Sequence, residues 1–214
     1  MSNIIEKTRR SEVSPNIIAY TVGNGLYINL TNRCPCECTF CIRNNADGMN
    51  PGESLWLTTE PTLAEIILAI NNAGLQNYSE VVFCGYGEPT ERLDILLKTA
   101  EYIKQASPTT PIRLNTNGLS DLINGKKTSS LLAAHIDSIS ISLNASNKND
   151  YIKLCHPAFG DKSFNAILEF AKECNELFKE IYLTVVDVIG TEKIAQCEQL
   201  CAEIGIKMRV RKIL

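Results

Sequence analysis

Six β-rich runs, each but the last followed by a helical pattern, constrain this chain most. The runs are Tyr27–Thr31, Val81–Cys84, Ile112–Thr116, Ser138–Leu143, Ile181–Val188 and Lys207–Ile213. Between them, Pro61–Ala73 carries Leu63, Ile66, Ile67 and Ile70 at helical spacing, with Thr59 or Thr62 at its start and Gly74 as its stop. Arg92–Ala106, Ser129–Ala134, Phe164–Phe178 and Glu192–Ile204 read as further helices. Regular β-α alternation means a parallel sheet with right-handed crossovers. Upstream, Ile17–Thr21 and Leu26–Leu30 flank Gly23-Asn24-Gly25 as a hairpin, and residues 1–16 show no period. One domain over 1–214 is expected, with 1–25 as an N-terminal arm and hairpin strand.

Strand parity separates an open doubly wound sheet from a barrel. Tyr27, Asn29 and Thr31 alternate with Ile28 and Leu30; Arg113, Asn115 and Asn117 with Ile112 and Leu114. Ser138, Ser140, Ser142 and Asn144 oppose Ile139, Ile141 and Leu143, and Arg209 and Arg211 oppose Met208 and Val210. A strand covered by helices on both faces is apolar almost throughout. A closed eight-stranded barrel fills its centre with branched apolar side chains. Polar faces on four of the six strands therefore predict an α/β fold of the partial (β/α)6 barrel type, hollow and ligand-lined, with an N-terminal β-hairpin extension.

A net charge of -3 gives no electrostatic footprint for a long nucleic acid. The N-terminus lacks a secretion signal's apolar core, and no apolar run is long enough to span a bilayer, so a cytoplasmic protein without a membrane partner is expected. Nine cysteines in a reducing compartment do not suggest a disulfide framework. Four of them, Cys34, Cys36, Cys38 and Cys41, crowd one loop after the first parallel strand, whereas Cys84, Cys155, Cys174, Cys197 and Cys201 read as scattered apolar residues.

Cys34, Cys38 and Cys41 have the spacing C-x3-C-x2-C. Three thiolates on a short loop can hold three irons of a [4Fe-4S] cluster and leave the fourth open. A zinc site using Cys36 as well is the competing reading, but zinc usually takes two separated ligand pairs. Cys36 is then a spare thiol pointing away. At the end of the second strand, Gly85-Tyr86-Gly87-Glu88-Pro89 allows close backbone approach to a ligand and offers a carboxylate for an ammonium.

These two motifs, in this order, resemble the radical S-adenosylmethionine (SAM) enzymes. Their C-x3-C-x-aromatic-C signature is matched by Cys34, Cys38, Phe40 and Cys41, and their G-G-E-P motif by Tyr86 to Pro89 with Tyr86 in place of a glycine. The resemblance implies a [4Fe-4S] cluster and SAM as cofactors. SAM's amine and carboxylate would chelate the open iron, Phe40 would lie against adenine, and reductive cleavage would give a 5′-deoxyadenosyl radical. Gly85, Tyr86, Gly87 and Glu88 would hold the SAM amino group. Asn117, Ser142 and Asn144 would meet its ribose and carboxylate. Arg209 would take the carboxylate, and Arg211 a substrate anion. The electron would come from a flavodoxin- or ferredoxin-type donor.

Leu30–Cys34, Gly85–Pro89, Ser140–Ala145 and Arg209–Arg211 further resemble small clostridial-type radical SAM proteins described as TatD-associated. Among such minimal cores are queuosine lyases of queuine salvage. That likeness implies a small polar substrate, a queuosine nucleoside or nucleotide, held by Tyr27, Asn29, Thr31, Asn115, Ser140 and Arg211. No cysteine-rich extension follows the last strand, so only the minimal core is expected. A glycyl-radical-enzyme activase and a non-catalytic metal-binding module are the alternatives. His135, His156 and the Cys197/Cys201 pair read as surface or packing residues.

Overall fold

The computed structural model describes residues 16–44 and 54–212. The expected arm over 1–16, apart from Asn16, and Ile213 of the expected last strand lie outside those residues. One seven-stranded sheet runs in sequence order: β1 (Ala19–Val22), β2 (Gly25–Ile28), β3 (Glu80–Phe83), β4 (Ile112–Thr116), β5 (Ser138–Ser142), β6 (Glu180–Val186) and β7 (Met208–Arg211). β1 and β2 pair antiparallel as the hairpin; every later pair is parallel. This is the partial barrel that the alternation predicts.

The register preserves the parity. Tyr27, Val82, Arg113, Ser138 and Glu180 are successive neighbours across the sheet, and the next inward row contains Asn115, Ser140 and Tyr182. Above them Ser142, Thr184 and Arg209 are aligned. On the other face Ile28, Val81, Phe83, Ile112, Leu114, Ile139, Ile141 and Leu183 merge with the helices into one buried core. α1 (Leu63–Ala73) starts at a capping box in which Thr62 and Glu65 satisfy each other's backbone donors, and it buries Ile66 and Ile70. α2 (Leu93–Ala106), α6 (Ser163–Leu177) and α7 (Thr191–Glu203) match the expected helices within two residues.

Two short helices were not legible. α3 (Ser120–Asn124) precedes α4 (Ser129–Ala133), the short helix expected at Ser129–Ala134, and its five residues are too few to show a helical period. α5 (Lys148–Cys155) buries only Tyr151 and Cys155, is capped by Asn147, and ends at His156 with φ 42°. The opening strand also stops early, at Ile28. Beyond it, side chains replace strand pairing: Asn29 donates to Leu55 O (2.7 Å), while Asn32 donates to Leu57 O (2.7 Å) and accepts from Leu57 N (3.0 Å).

Candidate active site

A cavity of about 460 Å³ opens along the inner face of the sheet. That lies within the roughly 300–1,000 Å³ of small-molecule sites. Cys34, Cys38, Cys41 and Phe40 form one wall, and Gly85 to Glu88 another. Asn117, Ser142, Thr184 and Arg209 follow, and Tyr20, Tyr27, Arg113, Asn115 and Ser140 line the part nearer the strand starts.

α5 explains how the cysteine loop is held. Its last carbonyls have no partner within the helix. Glu37 N donates to Cys155 O (3.0 Å) and Thr39 N to Leu154 O (2.9 Å), while Ala158 N donates to Pro35 O (2.7 Å). Arg43 adds a bond to Cys36 O (2.9 Å). The loop is thus positioned through backbone, leaving three thiols on the cavity wall. Cys36, expected to point away, is off that wall: its thiol is buried beneath the loop, 3.8 Å from Tyr151 Oη. Among the described residues, no three His, Cys, Asp or Glu side chains surround a point for one metal ion. A cluster asks for a different arrangement, with each thiolate reaching its own iron, and the three cavity-wall thiols fit that requirement.

Behind the loop, Glu60 accepts from Thr31 and from Arg33 Nε (2.8 Å), and Arg92 lies 3.5 Å away. Against the upward pull of burial, the bonds from Arg33 and Thr31 hold the Glu60 carboxyl below the usual carboxylate range. A depressed folded-state pKa contributes stability that is present above the ordinary value and lost as pH falls through the lowered one. Acid titration of the metal-free protein is therefore expected to loosen this clamp below the ordinary carboxylate pKa. Glu60→Gln should remove that part of the acid dependence, read as the unfolding midpoint against pH; an unchanged profile would count against the clamp.

Glycine is required in the second wall for space. A Cβ on Gly87 would meet Thr31 O and lie 2.6 Å from Arg33 O, and one on Gly85 would press on Asn29. Glu88, 3% exposed, follows them. Burial pushes its carboxyl up, while bonds from Asn117 N (2.7 Å), Thr116 Oγ1 (2.8 Å) and Thr90 pull the other way. Oε1 takes three of these bonds and Oε2 only one, so Oε2 keeps room for a cationic donor. Tyr86 is 5% exposed and meets the edge of Trp56 with ring centroids 5.4 Å apart.

Three expected residues do not line the cavity. Asn29 (0% exposed) and Thr31 (1% exposed) are committed to Leu55 and Glu60, for the reason given above for the early strand end. Asn144 sits past a point where Leu143 N and Asn144 N both donate to Thr184 O, which breaks the alternation; φ is 58° and its amide donates to Cys155 Sγ (3.7 Å). Arg209 reaches the cavity but already stacks on Tyr182 (3.2 Å to the centroid) and lies 3.7 Å from Glu180. Arg211 lines the cavity at the exposed last strand. Sequence reasoning missed Tyr20, paired across the hairpin with Tyr27, and assigned no role to Arg113 although it shares the face of Asn115. Cys84, expected to be a buried apolar residue, is half-buried and lines the cavity. His156 is exposed at the end of α5, as expected of a surface residue. No helix among the described residues is long and apolar enough to cross a membrane.

A family model, the Radical SAM superfamily, matches residues 28–204. GTP 3',8-cyclase of Corynebacterium glutamicum is 33% identical over 140 residues, which is 62% of this chain and 34% of that protein. GTP 3',8-cyclase 2 of Mycobacterium tuberculosis is 26% identical over 198 residues, 88% of this chain and 50% of that protein. The chain thus spans between a third and a half of the curated relatives it matches. Among solved structures, anSMEcpe with bound AdoMet superposes with a TM-score of 0.61 at 15% identity, over 88% of this chain and 50% of the other. Methylornithine synthase (PylB) gives 0.61 at 14% identity, over 89% of this chain and 53% of the other. At such identities the likeness concerns the fold alone.

Proposed function

The chain belongs to the radical SAM superfamily; from that premise we propose that Cys34, Cys38 and Cys41 hold a [4Fe-4S] cluster and that SAM binds beside it, between Phe40 and the Gly85–Glu88 wall. When bound and reduced by a flavodoxin- or ferredoxin-type donor, the pair supplies a 5′-deoxyadenosyl radical for hydrogen abstraction. The chain's own residues do the rest. Gly85 and Gly87 let the backbone approach the ligand, Glu88 Oε2 accepts from an ammonium, and Asn117 and Ser142 offer polar groups to the sugar and carboxylate. The carrying observation is one cavity joining three thiols, the glycine wall and the polar strand faces.

The substrate is a small polar nucleotide, best taken as a queuosine nucleotide cleaved to release queuine. Amides and hydroxyls line the lumen, Arg211 and Lys212 stand at its end, and relatives carry the name of an enzyme acting on GTP. Reconstituted, reduced protein incubated with SAM and queuosine 5′-monophosphate is expected to release 5′-deoxyadenosine and queuine together. 5′-Deoxyadenosine without queuine would remove the substrate and keep the class, and turnover with GTP instead would move it to a cyclase-type reaction. A glycine-centred radical on a protein partner would favour an activase. One zinc per chain without sulfide would leave only a metal-binding module.

A further inference from the structure

The cavity is charged unevenly along its length. At the strand-start end Glu180 shares the row of Arg113 and lies 3.7 Å from Arg209. The charged residue lining that end is Arg113, whose partner Glu80 accepts from its Nε (3.0 Å) and Nη2 (2.7 Å). This bidentate pair is formally neutral. Glu80 occupies one edge of the planar guanidinium. The other edge, Nη1 and Nη2, faces Asn115 Oδ1 at 3.3 Å and Tyr27 Oη at 3.4 Å, both longer than a good N–H···O bond. Two parallel donors on a rigid plane, held from behind and loosely engaged in front, are built to meet two acceptors side by side. At the opposite end Arg211, the last residue of β7, and Lys212 just past it add two exposed positive charges.

We infer that the lower lumen is a subsite for a flat heterocycle bearing adjacent acceptor atoms, with Arg113 as its specificity-determining residue, and that a nucleotide enters base-first with its phosphates at Arg211 and Lys212. The inference rests on the nucleotide reading above and extends it to the kind of base and its orientation. Because Arg113 is already neutralised by Glu80, the subsite favours a neutral acceptor pair over a phosphate or carboxylate, and Arg211 and Lys212, which have no carboxylate partner among the described residues, take the anionic end. A guanidinium carries donors only. It matches the carbonyl oxygen and ring nitrogen of a 6-oxopurine, and it opposes the amino group of adenine. A 7-deaza ring, that of queuosine included, keeps the carbonyl and loses one acceptor, so it engages one of the two Arg113 donors. Tyr20 and Tyr27, with ring centroids 5.4 Å apart, provide the aromatic wall beside it.

Binding of GTP, 7-deaza-GTP, ATP and guanosine to the reconstituted protein in the presence of SAM tests this by equilibrium titration. GTP should bind at least about tenfold more tightly than ATP, with 7-deaza-GTP between them. Arg113→Lys, which keeps the charge and removes the fork, should erase the preference between bases while the gain of GTP over guanosine remains. Tyr27→Phe leaves the Glu80–Arg113 pair intact and guards against misfolding of the Arg113 variant; it should reduce the preference in part. Equal binding of GTP and ATP, or a preference that both variants keep, would overturn the inference and leave the nucleotide reading standing. If none of the four ligands bound, the inference would fall, and the queuosine-nucleotide reading would stand or fall on its own release assay.

Discussion

Alanine at Cys34, Cys38 or Cys41 is expected to bring iron and sulfide content after reconstitution, and reductive cleavage of SAM, down to the level of a protein-free control. Each thiol should be separately indispensable, because a cluster with one open iron uses three protein ligands and has no spare. Cys36→Ala should behave differently. Its thiol is buried against Tyr151, next to Cys34 and Cys38 but off the cavity wall, so the change should cost about 1 kcal/mol of stability and leave the cluster in place. The loop's anchors are backbone bonds to Leu154, Cys155 and Ala158, which none of these substitutions removes. Metal-free variants should therefore unfold close to the parent, and loss of fold cannot mimic loss of ligand. Equal losses at all four cysteines, with zinc in the parent, would sink the cluster assignment.

The architecture was legible because strand alternation is a local pattern that burial enforces on every strand. Tyr27, Arg113, Asn115, Ser140, Ser142, Arg209 and Arg211 all reach the lumen, as a period of two requires. The failures come where the backbone leaves that period. Asn29 and Thr31 lie one and three residues beyond the last paired residue of β2, and Asn144 follows a bulge over Thr184 O, so extrapolating the alternation misplaced them. The anchoring helix α5 was illegible for another reason. Its sequence is polar and only Tyr151 and Cys155 are buried, so its job is carried by terminal carbonyls that every residue type has. Arg113 was visible on the right face, but its meaning depends on Glu80, thirty-three positions away, which no local pattern connects to it.

Gly87→Ala is the second large effect expected, and it differs in kind from Gly85→Ala although both add one methyl group. At Gly87 the obstacles are main-chain: Thr31 O, and Arg33 O at 2.6 Å. Neither can retreat. Arg33 O accepts from Glu88 N (2.8 Å), and Thr31 is tied through its hydroxyl to Glu60 and to Arg33 N (3.0 Å). Moving them shifts the start of the cysteine loop, so the variant should lose about 1–3 kcal/mol or more and bind SAM poorly. At Gly85 the obstacle is the Asn29 side chain, whose Oδ1 is buried with no partner among the described residues and whose Cγ would lie 2.7 Å from the new methyl. A side chain can be removed. Asn29→Ala in the parent forfeits the bond to Leu55 O and should destabilise the protein, but in the Gly85→Ala background it also relieves the clash. A double-mutant cycle should thus give a favourable coupling between residues 29 and 85, while Asn29→Ala should not rescue Gly87→Ala. Denaturant midpoints for the five variants decide it: additive losses at 29 and 85 would mean that the backbone between the two walls has slack, and that their separation is not what sets the width of the SAM site.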